Sequence, residues 1–248
     1  MNLKNIKNYI LLMVAVFFII AGSVALAQRS AGQTAVTWVT DPKTGCQIGL
    51  VVSDSVTIVA ATWLGPVANG KAEGKGNLTV ITKDKDGKEW QSQGEVEMKA
   101  GKLDGKGSVK WSDGSSYEGD YKAGVREGKG RLKFPNGDTY EGDFKNGKFE
   151  GMGIYKKPDG SYSEGGWKNN VMEGDGKIRW ANGEINIGNF KKGWVEGKGI
   201  IKYLNGNTYE GEIIKGKPAG YGVLKDPSGK VLYEGERGKS PGGSTEQY

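Results

Sequence analysis

The sequence predicts an all-β chain, an elongated single-layer antiparallel array of tandem β-hairpins behind an N-terminal signal or anchor helix. Three observations carry that prediction. Glycine occurs 43 times and proline only 7 times, yet 36% of residues are hydrophobic and 10% aromatic. Such a chain has the turn chemistry of many short strands and enough apolar surface to fold. A segment of 23 residues recurs along most of the chain. Within each copy apolar and polar residues alternate with period two, as in a half-buried strand.

The first element is a leader. Lys4 and Lys7 precede an apolar run from Tyr9 to Ala21, and small residues end it at Ala25-Leu26-Ala27. A charged start, an apolar helix and small side chains at the end predict a secretory signal at 1–27, cleaved before Gln28. An uncleaved membrane anchor stays open, because the stretch through Ala27 approaches the ~20 residues that span a bilayer. Either way the body is expected to be exported, as a periplasmic, secreted or envelope-associated protein. Residues 28–62 read as a linker and an N-terminal β cap. There Ile48, Leu50 and Val52 alternate, as do Val56 and Ile58, around Ser53-Asp54-Ser55, and predict strands that cover an open sheet edge. The array itself occupies 63–237, and the polar tail at 238–248 is expected to be disordered.

The clearest copies are YEGDYKAGVREGKGRLKFPNGDT from Tyr117 and YEGDFKNGKFEGMGIYKKPDGS from Tyr140. Stepping by 23 gives further copies from Gly94, Ser163, Asn186 and Tyr209. A first copy starts at Trp63 and carries an excess of eight residues, placed in a longer hairpin around Lys83 to Lys88. A remnant begins at Tyr233, so the chain holds seven repeats and a remnant. In the copy from Tyr117, the residues Tyr117, Gly119 and Tyr121 share one strand face. A glycine-bearing loop, Ala123 to Gly128, then leads to a second strand with Gly130, Leu132 and Phe134 on a face. Pro135-Asn136-Gly137 returns the chain.

A single hairpin is unstable in water, so stacked copies must bury one another. Three columns supply the spine. Val67, Met98, Tyr121, Phe144, Trp167, Phe190 and Ile213 form the first. Leu78, Val109, Leu132, Tyr155, Ile178, Ile201 and Leu224 form the second, and Trp111, Phe134, Trp180 and Tyr203 the third. Gly128, Gly130 and their counterparts leave room for rings over the backbone. Part of the set Tyr117, Tyr140, Tyr209 and Tyr233 is expected to be exposed. An aromatic spine is preferred over a sugar- or choline-binding surface, because the repeat must bury something.

The Tyr-Glu-Gly-x-aromatic strand, the glycine ahead of Gly-x-Gly and the Pro-Asn-Gly turn resemble the membrane occupation and recognition nexus (MORN) repeat, over Trp63 to about Gly235. Asn186 and Ile187 depart from its Tyr-Glu pair, and Lys157 and Asp226 break the third column. The resemblance implies a hairpin array that acts by contact, with protein partners or membranes.

Several classes of chemistry are excluded. The chain has no histidine, which removes His-based general bases, the Ser-His and Cys-His nucleophiles and the commonest metal ligand. Glu118, Glu141, Glu164 and Glu210 recur once per repeat, like a solvated strand face rather than one facing pair in a cleft. The Gly-x-Gly strings lack a following helix and Gly-Lys-Ser/Thr, so they are hairpin glycines and not phosphate loops. No catalytic residue, cofactor or metal site is expected. The formal charge is +6, of which Lys4 and Lys7 supply two, too diffuse for a nucleic-acid footprint. Cys46 is the single cysteine, so no intramolecular disulfide forms. It reads as a buried small hydrophobe, with an interchain disulfide or a reactive thiol left open.

A basic ladder remains, one residue per repeat: Lys110, Lys133, Lys156, Arg179, Lys202 and Lys225, accompanied by Lys99, Lys122, Lys145, Lys168 and Lys191. It is the candidate anionic-ligand surface. Glu118, Asp120 and their counterparts are expected on the same face, where cross-strand pairing would neutralise most of it. The function expected is a non-catalytic scaffold that binds a protein partner, the alternative being a peripheral binder of anionic phospholipid or envelope glycan. Homo-oligomerisation stays open.

Overall fold

The computed structural model describes residues 36–237, so the expected leader at 1–27 and tail at 238–248 lie outside the described residues. Among those described, nineteen strands and no helix form. They fall into two compact units that meet in sequence between Val125 and Arg126.

In the first unit β1 (Val36–Thr40), β2 (Gln47–Val51), β3 (Val56–Leu64), β4 (Val67–Ala68), β5 (Lys71–Ala72), β6 (Gly74–Asp84), β7 (Glu89–Lys99), β8 (Lys102–Trp111) and β9 (Ser116–Lys122) follow one another. Antiparallel pairing runs β3 to β6, β6 to β7, β7 to β8 and β8 to β9. The eight-residue excess lengthens the β6–β7 hairpin, whose tip is fastened by Asp84. Its carboxylate accepts from the Asp86 and Lys88 amides and from Trp90 Nε1, at 3.0, 3.0 and 2.9 Å.

In the cap region β3 pairs along the side of β6 that β7 does not take, and so covers the sheet edge there. The β1–β2 hairpin, whose β1 is the strand-favouring run Val-Thr-Trp-Val-Thr, lies across the turns of the repeats. Gln47 N donates to Gly70 O at 2.8 Å and Gly49 N to Gly101 O at 2.6 Å. Cys46, Ile48 and Leu50 are thereby buried. Val67 does not join the first column: it sits in the two-residue strand β4 and is 45% exposed.

The second unit holds β10 (Val125–Lys133), β11 (Thr139–Lys145), β12 (Lys148–Lys156), β13 (Tyr162–Lys168), β14 (Val171–Arg179), β15 (Ile185–Lys191), β16 (Trp194–Lys202), β17 (Thr208–Ile214), β18 (Lys217–Lys225) and β19 (Val231–Arg237). Each pairs antiparallel with the next. Glycine faces glycine in every step, from Gly130 and Gly142 through Gly153, Gly165, Gly176, Gly188, Gly199, Gly211 and Gly222 to Gly235.

Two turn types alternate. The first is a two-residue turn with φ positive at both positions, as at Asn146 (50°) and Gly147 (77°) or Ala100 (49°) and Gly101 (82°), the type I′ geometry whose twist matches paired strands. The predicted loop Ala123 to Gly128 is therefore only Ala123-Gly124, and β10 starts at Val125. Gly128, Gly151, Gly174, Gly197 and Gly220 lie inside strands at positive φ. In the second unit they fall beside register shifts such as that between Gly142 and Asp143, so they are bulge glycines rather than seats for rings. The second turn spans five residues, as in Phe134–Asp138, where Phe134 N donates to Asp138 O at 2.9 Å and Gly137 N to Phe134 O at 3.0 Å.

Candidate functional site

In the copies from Tyr140 and Tyr209 the first tyrosine lies over glycine. Tyr140 and Tyr209 are fully buried and Tyr117 nearly so, while Tyr233 is 37% exposed, so the part of this set expected to be exposed is Tyr233 alone. A Cβ at Gly142 would come 2.7 Å from the Tyr140 hydroxyl, and one at Gly211 2.7 Å from that of Tyr209. Cross-strand Gly153 and Gly222 are closer still. The hydroxyls turn back to donate to Asp120 O, Asp143 O and Glu212 O at 3.0, 3.1 and 2.9 Å from Tyr117, Tyr140 and Tyr209. Burial and the carboxylates of Asp143 and Glu150 raise the phenol pKa of Tyr140. Where the tyrosine is replaced, a neighbour fills the slot: Met172 lies over Gly176, and Val195 over Gly188 and Gly199.

A carboxylate clasp joins successive copies. The turn amide of Asn146 donates to Glu127 Oε2 at 2.8 Å, and those of Asn169, Lys192 and Lys215 to Glu150, Glu173 and Glu196 at 3.1, 3.1 and 3.2 Å. In the first unit Ala100 N reaches Glu73 and Ala123 N reaches Asp104, at 2.7 and 3.2 Å. The next turn amide donates to a strand carbonyl of the preceding copy, as Gly193 N does to Met172 O and Gly216 N to Val195 O, both at 3.0 Å. Both amides of the six turns from Ala100-Gly101 to Lys215-Gly216 are thus satisfied by the repeat before them.

The opposite ends of the strands carry the basic ladder. In the second unit one cross-strand row reads Lys133, Thr139, Lys156, Tyr162, Arg179, Ile185, Lys202, Thr208, Lys225, Val231. Five cations alternate with uncharged residues, about 10 Å apart, two strand spacings. Lys110 faces Ser116 in the first unit. The expected cross-strand pairing falls one row further in on the same face, where Glu141 lies opposite Arg131 and Glu164 opposite Lys177. Asp120 and Asp143 take other partners, Lys106 and Lys129, each at 2.8 Å, and Glu118 faces Ser108. The hydrogen bond from Lys129 holds the carboxyl of Asp143 below the usual aspartate range. Arg179 Nη1 donates to Gly160 O at 3.1 Å, which ties its guanidinium to the neighbouring turn.

Six segments match the MORN repeat, at 97–116, 117–139, 140–162, 164–185, 187–208 and 209–231, together more than half the chain. The chain belongs to the MORN repeat family. No curated protein sequence matches it. MORN repeats bind proteins or membrane lipid, and the hairpin geometry above is how this chain builds them. The copy from Trp63 lies outside the matched segments, yet its ring occupies the MORN tyrosine slot: it is fully buried, over Gly65 and Gly76.

The spine residues of the MORN array fall on the inner face. Tyr121, Phe144, Phe190, Leu132, Ile178 and Ile201 are buried, and Trp167 is partly buried with Nε1 donating to Gly153 O at 3.0 Å. Lys110, Lys133, Lys156 and Lys202 are exposed, and Arg179 and Lys225 are half-buried. The clasp acids Asp104, Glu127, Glu150, Glu173 and Glu196 were missed by sequence reasoning. Their signal is an acid three residues after the second turn residue, Gly101, Gly124, Gly147, Asn170 or Gly193, repeated at the 23-residue step.

Proposed function

We propose that this MORN-repeat protein is a non-catalytic scaffold of exported bacterial type, held in the periplasm or cell envelope. Its basic row in the second unit docks an acidic stretch of a protein partner. The observation that supports this reading is the row itself, because Lys133, Lys156, Arg179, Lys202 and Lys225 have no acidic residue as cross-strand neighbour. An extended acidic chain meets successive cations at a spacing of about 10 Å along such a row. The absence of histidine supports the non-catalytic part.

Affinity purification of the tagged protein from its native envelope, with Lys133→Glu/Lys156→Glu/Lys202→Glu alongside, tests the reading. Loss of the same partner in the variant, and in rising salt with the native chain, supports it. Retention of that partner by the variant overturns it. Mass spectrometry of the chain recovered from the envelope fraction tests export, with a mature N-terminus at Gln28 expected. Recovery only from the cytosol rejects export.

A second reading, an anionic phospholipid or glycan surface, is favoured by the apolar turn tips beside the row. Pro135, Pro158 and Pro227 are exposed there and Leu204 is 65% exposed, a basic and apolar combination that suits a headgroup boundary. Salt-sensitive co-sedimentation with phosphatidylglycerol vesicles, absent with neutral vesicles and abolished by Leu204→Asn, selects this reading.

A further inference from the structure

The chain contains its own template for a ligand. In the first unit β2 lies along the two-residue turns, and each successive turn receives the next alternate residue of the strand. Gln47 N donates to Gly70 O and Gly49 N to Gly101 O, while Val51 packs on Gly124, where a Cβ would come 2.8 Å from the valine side chain. The intervening Ile48 and Leu50 are buried. Trp38 flanks the arrangement, its ring 2.7 Å from a Cβ placed at Gly101. Turn geometry thus turns a row of glycine carbonyls into an acceptor ladder with a period of two strand residues per repeat.

The same turns recur in the second unit, where no strand among the described residues covers them. Both turn amides are consumed by the preceding repeat, as they are at Ala100-Gly101 and Ala123-Gly124, so the remaining polar group is the carbonyl. Gly147 O accepts from Arg126 Nη2 at 3.2 Å. The carbonyls of Asn170, Gly193 and Gly216 receive no hydrogen bond from a described residue. Trp194 stands beside Gly216 as Trp38 stands beside Gly101, 3.1 Å from a Cβ placed there. Trp194 is 38% exposed and Ile214, at the same margin, 57% exposed.

The charge differs between the two margins. The first turn residues in the first unit are Asn69, Ala100 and Ala123, whereas those in the second unit end in Lys192 and Lys215. Lys191 and Lys217 are exposed next to them. The acids nearest these turns, Glu173 and Glu196, are committed to the amides of Lys192 and Lys215.

The geometry points to a docking margin on the second unit, along Asn169-Asn170, Lys192-Gly193 and Lys215-Gly216, that takes an extended segment of a partner protein with alternating apolar and acidic side chains. Every second amide of the segment donates to a turn carbonyl, the apolar side chains cover Trp194 and Ile214, and the acidic ones meet Lys192 and Lys215. Five residues reach three turns, the length of β2 itself. This margin lies at the strand ends away from the basic row, so it stands or falls separately from the proposal above.

The test uses the full mature chain and a synthetic nonapeptide of alternating glutamate and leucine. Titration followed by amide NMR is expected to give saturable shifts at Asn169, Asn170, Lys192, Gly193, Lys215 and Gly216. Two N-methylated isomers of the peptide separate strand docking from charge attraction: methylation at one set of alternate amides abolishes binding, and methylation at the other leaves it within about threefold, since only one set reaches the turns. Lys192→Asn/Lys215→Asn, which places at both turns the residue already found at Asn146 and Asn169, weakens binding at least tenfold. Lys133→Glu/Lys156→Glu leaves it unchanged. Equal binding of both isomers, shifts confined to β19 or to the basic row, or no saturable binding overturns the proposal.

Discussion

Tyr140 stacks on Phe149 with ring centroids 3.6 Å apart and planes 8° from parallel, while its other edges meet Phe144 and Trp167 at 5.2 and 5.6 Å. One tyrosine therefore gathers aromatic side chains from β11, β12 and β13, and it can do so only because the strands beneath it carry Gly142 and Gly153. The repeat is a slot made of backbone with a ring as its filling.

That slot predicts a clash with a partner dependence. Gly153→Ala places a methyl group in the Tyr140 ring, and overpacking of this kind costs about 2 kcal/mol. Tyr140→Leu vacates the space. Urea unfolding of both single variants and the double variant is expected to give a favourable coupling of at least about 1 kcal/mol. Additive losses would mean that the glycine is needed for conformation alone.

The bulge glycines behave differently. Gly174 has φ of +87° and nothing within 4 Å of a Cβ, so Gly174→Ala incurs only left-handed backbone strain of about 1 kcal/mol. Gly174→Asn recovers most of it, since asparagine tolerates this region. Equal losses for the two variants, read from the urea midpoint, would contradict the assignment.

The clasp gives a local readout. Glu150→Ala removes the acceptor of the Asn169 amide, a hydrogen bond to a charged group at an exposed turn, worth about 1 kcal/mol. Faster hydrogen exchange is expected at Asn169, about fivefold at that energy, with the amide of Lys192 unchanged because Glu173 still holds it. Spread of the effect to Lys192 would show that the turns are coupled beyond nearest neighbours.

The 23-residue step made the hairpins and the spine legible, because Phe144, Ile178 and Ile201 each occupy a position that only burial explains. Burial of Tyr140 was not legible: a tyrosine next to glutamate reads as half-wet until Gly153, thirteen residues on, is known to lie under its ring. The row of Lys133, Lys156 and Lys202 was visible, but its lack of acidic neighbours depends on register, which places Thr139 and Thr208 there instead. The two-residue turn at Ala123-Gly124 was hidden because alanine at positive φ is rare and is held there by the carboxylate of Asp104.

Asp41 links acid stability to the β1–β2 hairpin. Burial raises its pKa, but hydrogen bonds from Lys43 N, Thr44 Oγ1 and Trp63 N, at 2.8, 2.8 and 3.1 Å, outweigh that and leave it below the ordinary aspartate value. A native pKa below the unfolded one contributes stability that is complete above the unfolded value of ~3.9 and is lost as pH falls through the native value. The same residue joins Cys46 through Asp41 N to Cys46 O at 2.9 Å, and the Cys46 thiol is buried. Protonation of Asp41 is therefore expected to expose that thiol. A pyridyl disulfide, which reacts with thiols in acid, should modify Cys46 slowly at pH 5 and faster as pH drops below the aspartate range. Asp41→Asn should react fast at every pH with a flat profile. A native chain whose thiol reacts at one rate across this range would separate Asp41 from the stability of the hairpin.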